Sequence, residues 1–144
     1  MPEKETLERA RKDKREGKAP STQAGEFVKE EIEHIREGKH GARSTKQAIA
    51  IGLSKARRAG VDLPPPANAS EEVKEQAKRD TRKAKSGKRP SATRSRATRK
   101  ALKREGHSAA SKTALSRQAR SAAKRRSAAS RSRSAKKAAA TRKK

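Results

Sequence analysis

The sequence lacks cysteine, tryptophan and tyrosine, and Phe27 is its only aromatic residue. Without cysteine the chain forms no disulfide, offers no thiolate to a metal and has no cysteine nucleophile. The scarcity of aromatics argues against recognition of single strands or RNA loops by base stacking. No run of about 18 apolar residues occurs, and the charged N-terminus lacks an apolar signal core, so we expect no membrane insertion and no secretory signal.

Large apolar residues are also scarce. Only 14 of the 144 residues are Met, Leu, Ile, Val or Phe, and most of the remaining hydrophobic content is alanine. A domain of this length needs a much larger set to offset the conformational entropy that folding removes. The composition therefore excludes a single compact domain over the whole length and is typical of chains with a disordered part.

Positive charge is abundant and unevenly spread. The chain has 42 basic and 16 acidic residues, a net charge of +26. Residues 1–66 hold 15 basic and 11 acidic residues, whereas residues 67–144 hold 27 and 5. Three consecutive prolines, Pro64–Pro66, mark the boundary and favour an extended spacer. We predict a small module over 1–63, a proline hinge over 64–66 and a basic tail over 67–144.

The fold class indicated is mainly α: a small helical N-terminal module followed by a largely disordered or conditionally helical basic tail. Predicted helices cover about 3–16, 22–37 and 44–59, and a fourth over about 70–85 fits the charge pattern. Val28, Ile32 and Ile35 follow helical spacing, and Ser44 with Gln47 has the spacing of a capping box. Beyond residue 86, neutralisation of Lys/Arg repulsion on a polyanion would favour helix, so we expect order on binding.

Two surface assignments follow from helical periodicity. Glu30, Glu33 and Glu37 fall opposite the apolar stripe of the second helix, which gives that helix a solvent-facing acidic side and a scaffolding role. Ile51 falls among basic residues on the third helix, where it is either an isolated surface residue or a contact for a partner protein.

The tail is the strongest functional signal, because phosphate is the abundant cellular partner for a dense cluster of cations. A disordered tail cannot hold side chains in register against base edges, so we expect sequence-independent contacts with duplex DNA. The predicted nucleic-acid-binding residues are Lys46, Lys55, Arg57, Arg58, Arg94, Arg96, Arg99, Lys100, Lys103, Arg104, Arg117, Arg120, Lys124, Arg125, Arg126, Arg131, Arg133, Lys136, Lys137 and Arg142.

Other site types have weaker signals. A helix-turn-helix would place Arg43, Thr45, Lys46 and Gln47 at a DNA groove, but the connection before them is long and a third core helix is hard to find. Glu30 and His34 share a helix face, yet solvated polar residues are far more common than metal ligands at such spacing. We predict no catalytic residues, no metal and no cofactor.

Two stretches, KQAIAIGLSKARRAGVDLPPP from Lys46 and ALKREGHSAASKTALSRQAR from Ala101, resemble a family of small bacterial proteins of unknown function, often labelled DNA-binding. The last 24 residues are similar in composition to linker-histone tails. The resemblance implies a bacterial protein located in the cytoplasm, at the nucleoid. The leading interpretation is a non-enzymatic, nucleoid-associated, histone-like DNA-binding protein. The alternatives are an RNA- or ribosome-associated protein, or an adaptor whose helical module tethers a protein partner to nucleic acid.

Overall fold

The computed structural model describes residues 2–143, and this part of the chain is mainly helical, as predicted, with no strand. In chain order the helices are α1 (Lys4–Arg15), α2 (Pro20–Arg36), α3 (Thr45–Arg58), α4 (Glu71–Ser86), α5 (Ala92–Lys103), α6 (Lys112–Lys124) and α7 (Ala128–Arg142). A 3₁₀ turn (Ser108–Ala110) precedes α6. The first four helices begin and end within two residues of the ranges expected from sequence.

Helices α2 and α3 form the central pair. The backbone N–H of Gln47 donates to Ser44 Oγ at 3.1 Å, which caps the start of α3. Gly38, which follows α2, adopts a positive φ of 78°, a left-handed conformation that glycine tolerates best. The helices approach closely where Gly52 faces Val28, since a Cβ at Gly52 would lie 2.7 Å from Val28 Cα. The absence of a side chain at Gly52 therefore sets the distance between the two helices.

Helix α1 covers one side of α2. Ala10, Ala24, Phe27 and Ala56 form a buried cluster between α1, α2 and α3. Arg9 Nε donates to Glu26 Oε2 at 2.6 Å and ties α1 to α2 at the edge of the cluster. This covering corrects one member of the predicted acidic face: Glu30 is 1% exposed, and its Oε1 accepts from the Glu3 backbone N–H at 2.6 Å. The other two members, Glu33 and Glu37, are exposed as predicted.

Helix α4 packs on α3 through a buried carboxylate. Asp80 is fully buried, and its carboxylate accepts from Arg58 Nε at 2.9 Å and Gln76 Nε2 at 3.2 Å, as well as from the Ser54 hydroxyl. The contact lies beyond Pro64–Pro66, so packing crosses the predicted boundary. The division of the chain into module, hinge and tail stays a prediction.

The segment from Leu102 to Leu115 completes the second core cluster. Ala109 and Ala110 are buried with Ile32, Ile35, Ala42 and Ala48, and Leu115 packs against them. The Thr45 hydroxyl donates to Ala109 O at 2.7 Å, across 64 positions in sequence. This segment supplies the third partner for α2 and α3 that the sequence left unidentified.

The predicted disorder of the tail is not what the structure shows, because the described tail is helical over most of its length. Serine residues explain where its helices start: Ser70, Ser91, Ser111 and Ser127 are N-caps whose side chains accept from a backbone N–H three residues on. The alanine content behind each cap favours helix. Helices α5 and α7 pack on no other helix extensively within residues 2–143.

Candidate nucleic-acid interface

Helix α6 has an inner and an outer face. Ala114, Leu115 and Gln118 are half-buried on the side that meets α3 and the 3₁₀ turn. Arg117, Arg120 and Lys124 are exposed and share the opposite side at spacings of three and four residues. Because the core holds the inner face, this outer stripe of cations points into solvent.

Helices α5 and α7 extend the basic surface in different ways. On α5, Arg96, Arg99, Lys100 and Lys103 recur at three- and four-residue spacing and are all exposed. On α7 the cations are distributed around the whole helix, which has no buried residue. Thus α5 and α6 each have a directional basic face, whereas α7 exposes cations in every direction.

The cations of these helices have almost no acidic neighbours. Glu105 is the only acidic residue after Asp80, against 21 basic residues in 87–144. All sixteen predicted tail contacts are exposed, and within residues 2–143 none of them forms an ion pair. They are Arg94, Arg96, Arg99, Lys100, Lys103, Arg104, Arg117, Arg120, Lys124, Arg125, Arg126, Arg131, Arg133, Lys136, Lys137 and Arg142.

The four predicted contacts in the module have different surroundings. Lys46 is exposed at the start of α3. Lys55 donates to the buried carboxylate of Glu31, and Arg58 donates to Asp80. Arg57 is 8% exposed, and its Nε donates to Leu63 O at 2.8 Å. Three of the four charges are therefore used in packing α3 against its neighbours.

The residues that a helix-turn-helix would present are partly covered. Thr45 is buried, and its hydroxyl bonds to Ala109 O. Gln47 Oε1 accepts from the Arg43 backbone N–H at 2.6 Å, which fixes the loop rather than facing outward. The segment 105–110 thus lies over the start of α3, where DNA would have to enter.

Sequence reasoning missed one cation that lies beside the outer stripe. Lys112, the first residue of α6, lines a shallow surface depression together with Thr113, Ser116, Arg117 and Arg120. The sequence signal for Lys112 is its position in α6: it follows the Ser111 cap by one residue and precedes Arg117 by five. A second depression, next to the first, is lined by Arg117, Arg120, Ser121, Lys124 and Arg125.

Several acidic residues of the module form ion pairs with nearby basic residues. A hydrogen bond from His34, and then one from Lys39, hold the pKa of the Glu3 carboxyl below its usual value. Glu37 and then Glu3 raise the pKa of Lys39. On α1 and α2, the carboxylate of Glu26 raises the pKa of Arg9. Ion pairs therefore offset part of the positive charge of the module, whereas the cations of α5–α7 form no ion pair within residues 2–143.

Comparisons with known proteins give one match. The sequence model of a family of unknown function (DUF6496) matches residues 17–67, just over a third of the chain, which spans α2, α3 and the proline run. This fits the expected similarity to a family of unknown function; the bacterial origin, the KQAIAI core and the likeness of the tail stay predictions. No curated protein and no solved structure matches the chain. None of the helices within residues 2–143 has the length and apolar character needed to cross a bilayer.

Proposed function

We propose that this protein is a non-enzymatic, largely sequence-independent DNA-binding protein of the nucleoid-associated, histone-like kind, acting in the cytoplasm on the phosphates of duplex DNA. The observation that carries the proposal is the exposed outer stripe Arg117, Arg120 and Lys124, which has no ion pair within residues 2–143 and lies opposite a half-buried inner face. The exposed cations of α5 and α7 add to this positive charge.

Phosphate contact is the chemistry that such a surface offers. Each phosphate bound releases condensed counterions, so affinity falls steeply as salt rises. A protein with 6–10 contacts loses roughly 10³–10⁵ in affinity between 50 and 200 mM salt. Because Lys and Arg on α6 occupy one face of a packed helix, they meet a duplex backbone together and at little entropic cost. Helix α7, which has no buried residue, is the part of the tail that we propose to be conditionally helical.

The test is fluorescence anisotropy of the full-length protein on two unrelated DNA duplexes over a salt series. The variant Arg117→Ala/Arg120→Ala/Lys124→Ala removes the outer stripe of α6. We expect it to reduce the salt slope by about 3 on both duplexes, since each lost phosphate contact removes about 0.9 from that slope.

The matched control is Arg11→Ala/Lys14→Ala/Arg15→Ala on α1, which removes three exposed cations of the same types. We expect its slope to stay close to that of the wild type. An equal change in both variants would mean that only net charge matters, and an unchanged slope in the α6 variant would contradict the proposal. Tighter binding to duplex RNA at the same salt would favour the RNA-associated alternative, because phosphate is common to both polymers.

A further inference from the structure

We infer that Glu31, His34 and His40 form a site for a divalent transition-metal ion of the zinc type, independent of the DNA-binding surface. Each residue places one ligand atom within 4.8 Å of the others. Two come from α2 and one from the loop before α3, so an ion bound there would join the helix to that loop.

The carboxylate of Glu31 is the first argument. Its side chain is 1% exposed, yet Oε2 has no hydrogen-bond donor. The other oxygen, Oε1, accepts from Lys55. Oε2 instead lies 3.1 Å from His40 Nε2, without the alignment of a hydrogen bond. A buried carboxylate oxygen without a donor is costly, so it is a position where a ligand is favoured.

The orientation of His40 is the second argument. His40 Nδ1 lies 2.9 Å from the carbonyl oxygen of Gly41, which only accepts, so Nδ1 carries a proton. In that tautomer Nε2 carries the lone pair of the ring, so Nε2 is the nitrogen of His40 that can bind a metal ion. Metal-binding histidines are commonly fixed in this way, with one ring N–H donated to a backbone carbonyl. Two ligands about 2.0–2.2 Å from a tetrahedral ion lie about 3.4 Å apart, close to the observed separation.

The surroundings fit this class of ion. Two imidazoles and a carboxylate are ligands that zinc and related ions accept, and the set leaves one position for water or a further carboxylate. On the far side of His34, Nε2 lies 3.0 Å from Glu3 Oε1, and Glu30, 1% exposed, also has an oxygen without a donor. The side chains of His34 and His40 are 15% and 13% exposed, which leaves a route of entry.

The experiment is titration of the full-length, chelator-stripped protein with ZnCl₂ against a chromophoric chelator. We expect one equivalent of zinc to bind, with at least tenfold weaker affinity in His34→Gln and in His40→Gln. The control is His107→Gln, which removes the only other histidine, an exposed one in the loop before the 3₁₀ turn. Its zinc affinity should equal that of the wild type.

Absence of stoichiometric binding in the wild type, or equal affinities in wild type and His40→Gln, would overturn the inference. Nitrogen-15 NMR of the histidine rings in the wild type tests the site without a variant that is at risk of misfolding. Zinc should shift the ring nitrogens of His34 and His40 and leave those of His107 in place. Any other pattern would contradict the site.

Discussion

At the scale of single residues, two glycines differ in how closely neighbouring atoms approach them. One lies in the loop before α3 and the other in α2. Gly41 lies against the backbone of Glu105 and Gly106, and its N–H donates to Leu102 O at 2.9 Å. A Cβ at Gly41 would overlap the two carbonyl oxygens, which belong to backbone and cannot rotate away. Gly25, in the middle of α2, has open space where its Cβ would lie. The same substitution should therefore act in opposite directions at the two positions.

We predict that Gly41→Ala destabilises the protein by about 1–3 kcal/mol, the usual cost of inserting a methyl group into a packed region. Gly25→Ala should stabilise it by about 0.5–1 kcal/mol, because alanine is the better helix former. Urea unfolding followed by circular dichroism measures both. A neutral Gly41→Ala variant would show that the loop does not pack on residues 105–106 in solution.

At the scale of helices, Asp80 decides how α4 is held. Its carboxylate is fully buried between α4 and α3, whereas Glu75 on the same helix is exposed and pairs with Lys78 at 3.4 Å. An exposed pair contributes little, because water and salt screen it. The buried carboxylate gathers three donors that would lose their acceptor if it were removed. Substitutions at Asp80 and Glu75 therefore distinguish the effect of a buried packing contact from that of a surface charge on the same helix.

The prediction is that Asp80→Ala lowers the free energy of unfolding by about 1–3 kcal/mol. Arg58 is partly exposed and turns to water when its partner is lost, which keeps the loss within that range. Glu75→Ala, the control, should change stability by less than about 0.5 kcal/mol. Faster amide hydrogen exchange in α4 of Asp80→Ala, but not of Glu75→Ala, would show that the loss of stability arises at the α3–α4 contact. Equal losses of stability in the two variants would contradict a stabilising role for Asp80.

Helix positions were predictable from sequence because their signals are local. The spacing of Val28, Ile32 and Ile35, the Ser44 cap and the glycines after the helices fixed α2 and α3 closely. Tertiary partners were not predictable in the same way. Ala109 and Ala110 enter the core with side chains too small to form an apolar pattern. At the candidate site, composition alone identified the cations of α5–α7. It did not show which α6 cations face outward, because that depends on the inward packing of Leu115.

The burial of three carboxylates, those of Glu30, Glu31 and Asp80, was not predictable for a related reason. Periodicity places Glu30 on the polar side of α2, and nothing in the sequence shows that α1 returns to cover that side. The sequence pattern places Lys55 and Arg58 among the phosphate contacts because they are basic. In the structure they donate to Glu31 and Asp80, which are distant in sequence. Charge alone does not distinguish a surface cation from one that neutralises a buried acid.

At the scale of the whole molecule, the tail has two roles that lie in different segments. Residues 102–115 complete the core of α2 and α3, since Ala109 and Ala110 are buried there. Helix α7 has no buried residue and packs on no other helix extensively within residues 2–143. The stability of the fold should therefore depend on residues 102–115. Helix α7 should contribute exposed positive charge and little stability.

Two truncations test this division. Removal of residues 127–144 should leave the free energy of unfolding within about 0.5 kcal/mol of the wild type, because no packed group is lost. Removal of residues 105–144 should lower it by several kcal/mol, since Ile32, Ile35 and Ala48 lose their cover and Thr45 loses its acceptor. Thermal and urea melts monitored by circular dichroism measure both. If the chain that lacks residues 105–144 were as stable as the full chain, the 105–115 segment would not pack on α2 and α3 in solution.

The bond from Thr45 to Ala109, across 64 positions, also has a consequence in time. Ribosomes add about 5–20 residues per second, so roughly 3–13 s pass between synthesis of the first half of this contact and of the second. During that interval Ile32, Ile35 and Ala48 have no cover, and the newborn chain presents an apolar patch that chaperones recognise. A chain released before Ala109 would keep these side chains exposed to water, because the segment that covers them would be missing.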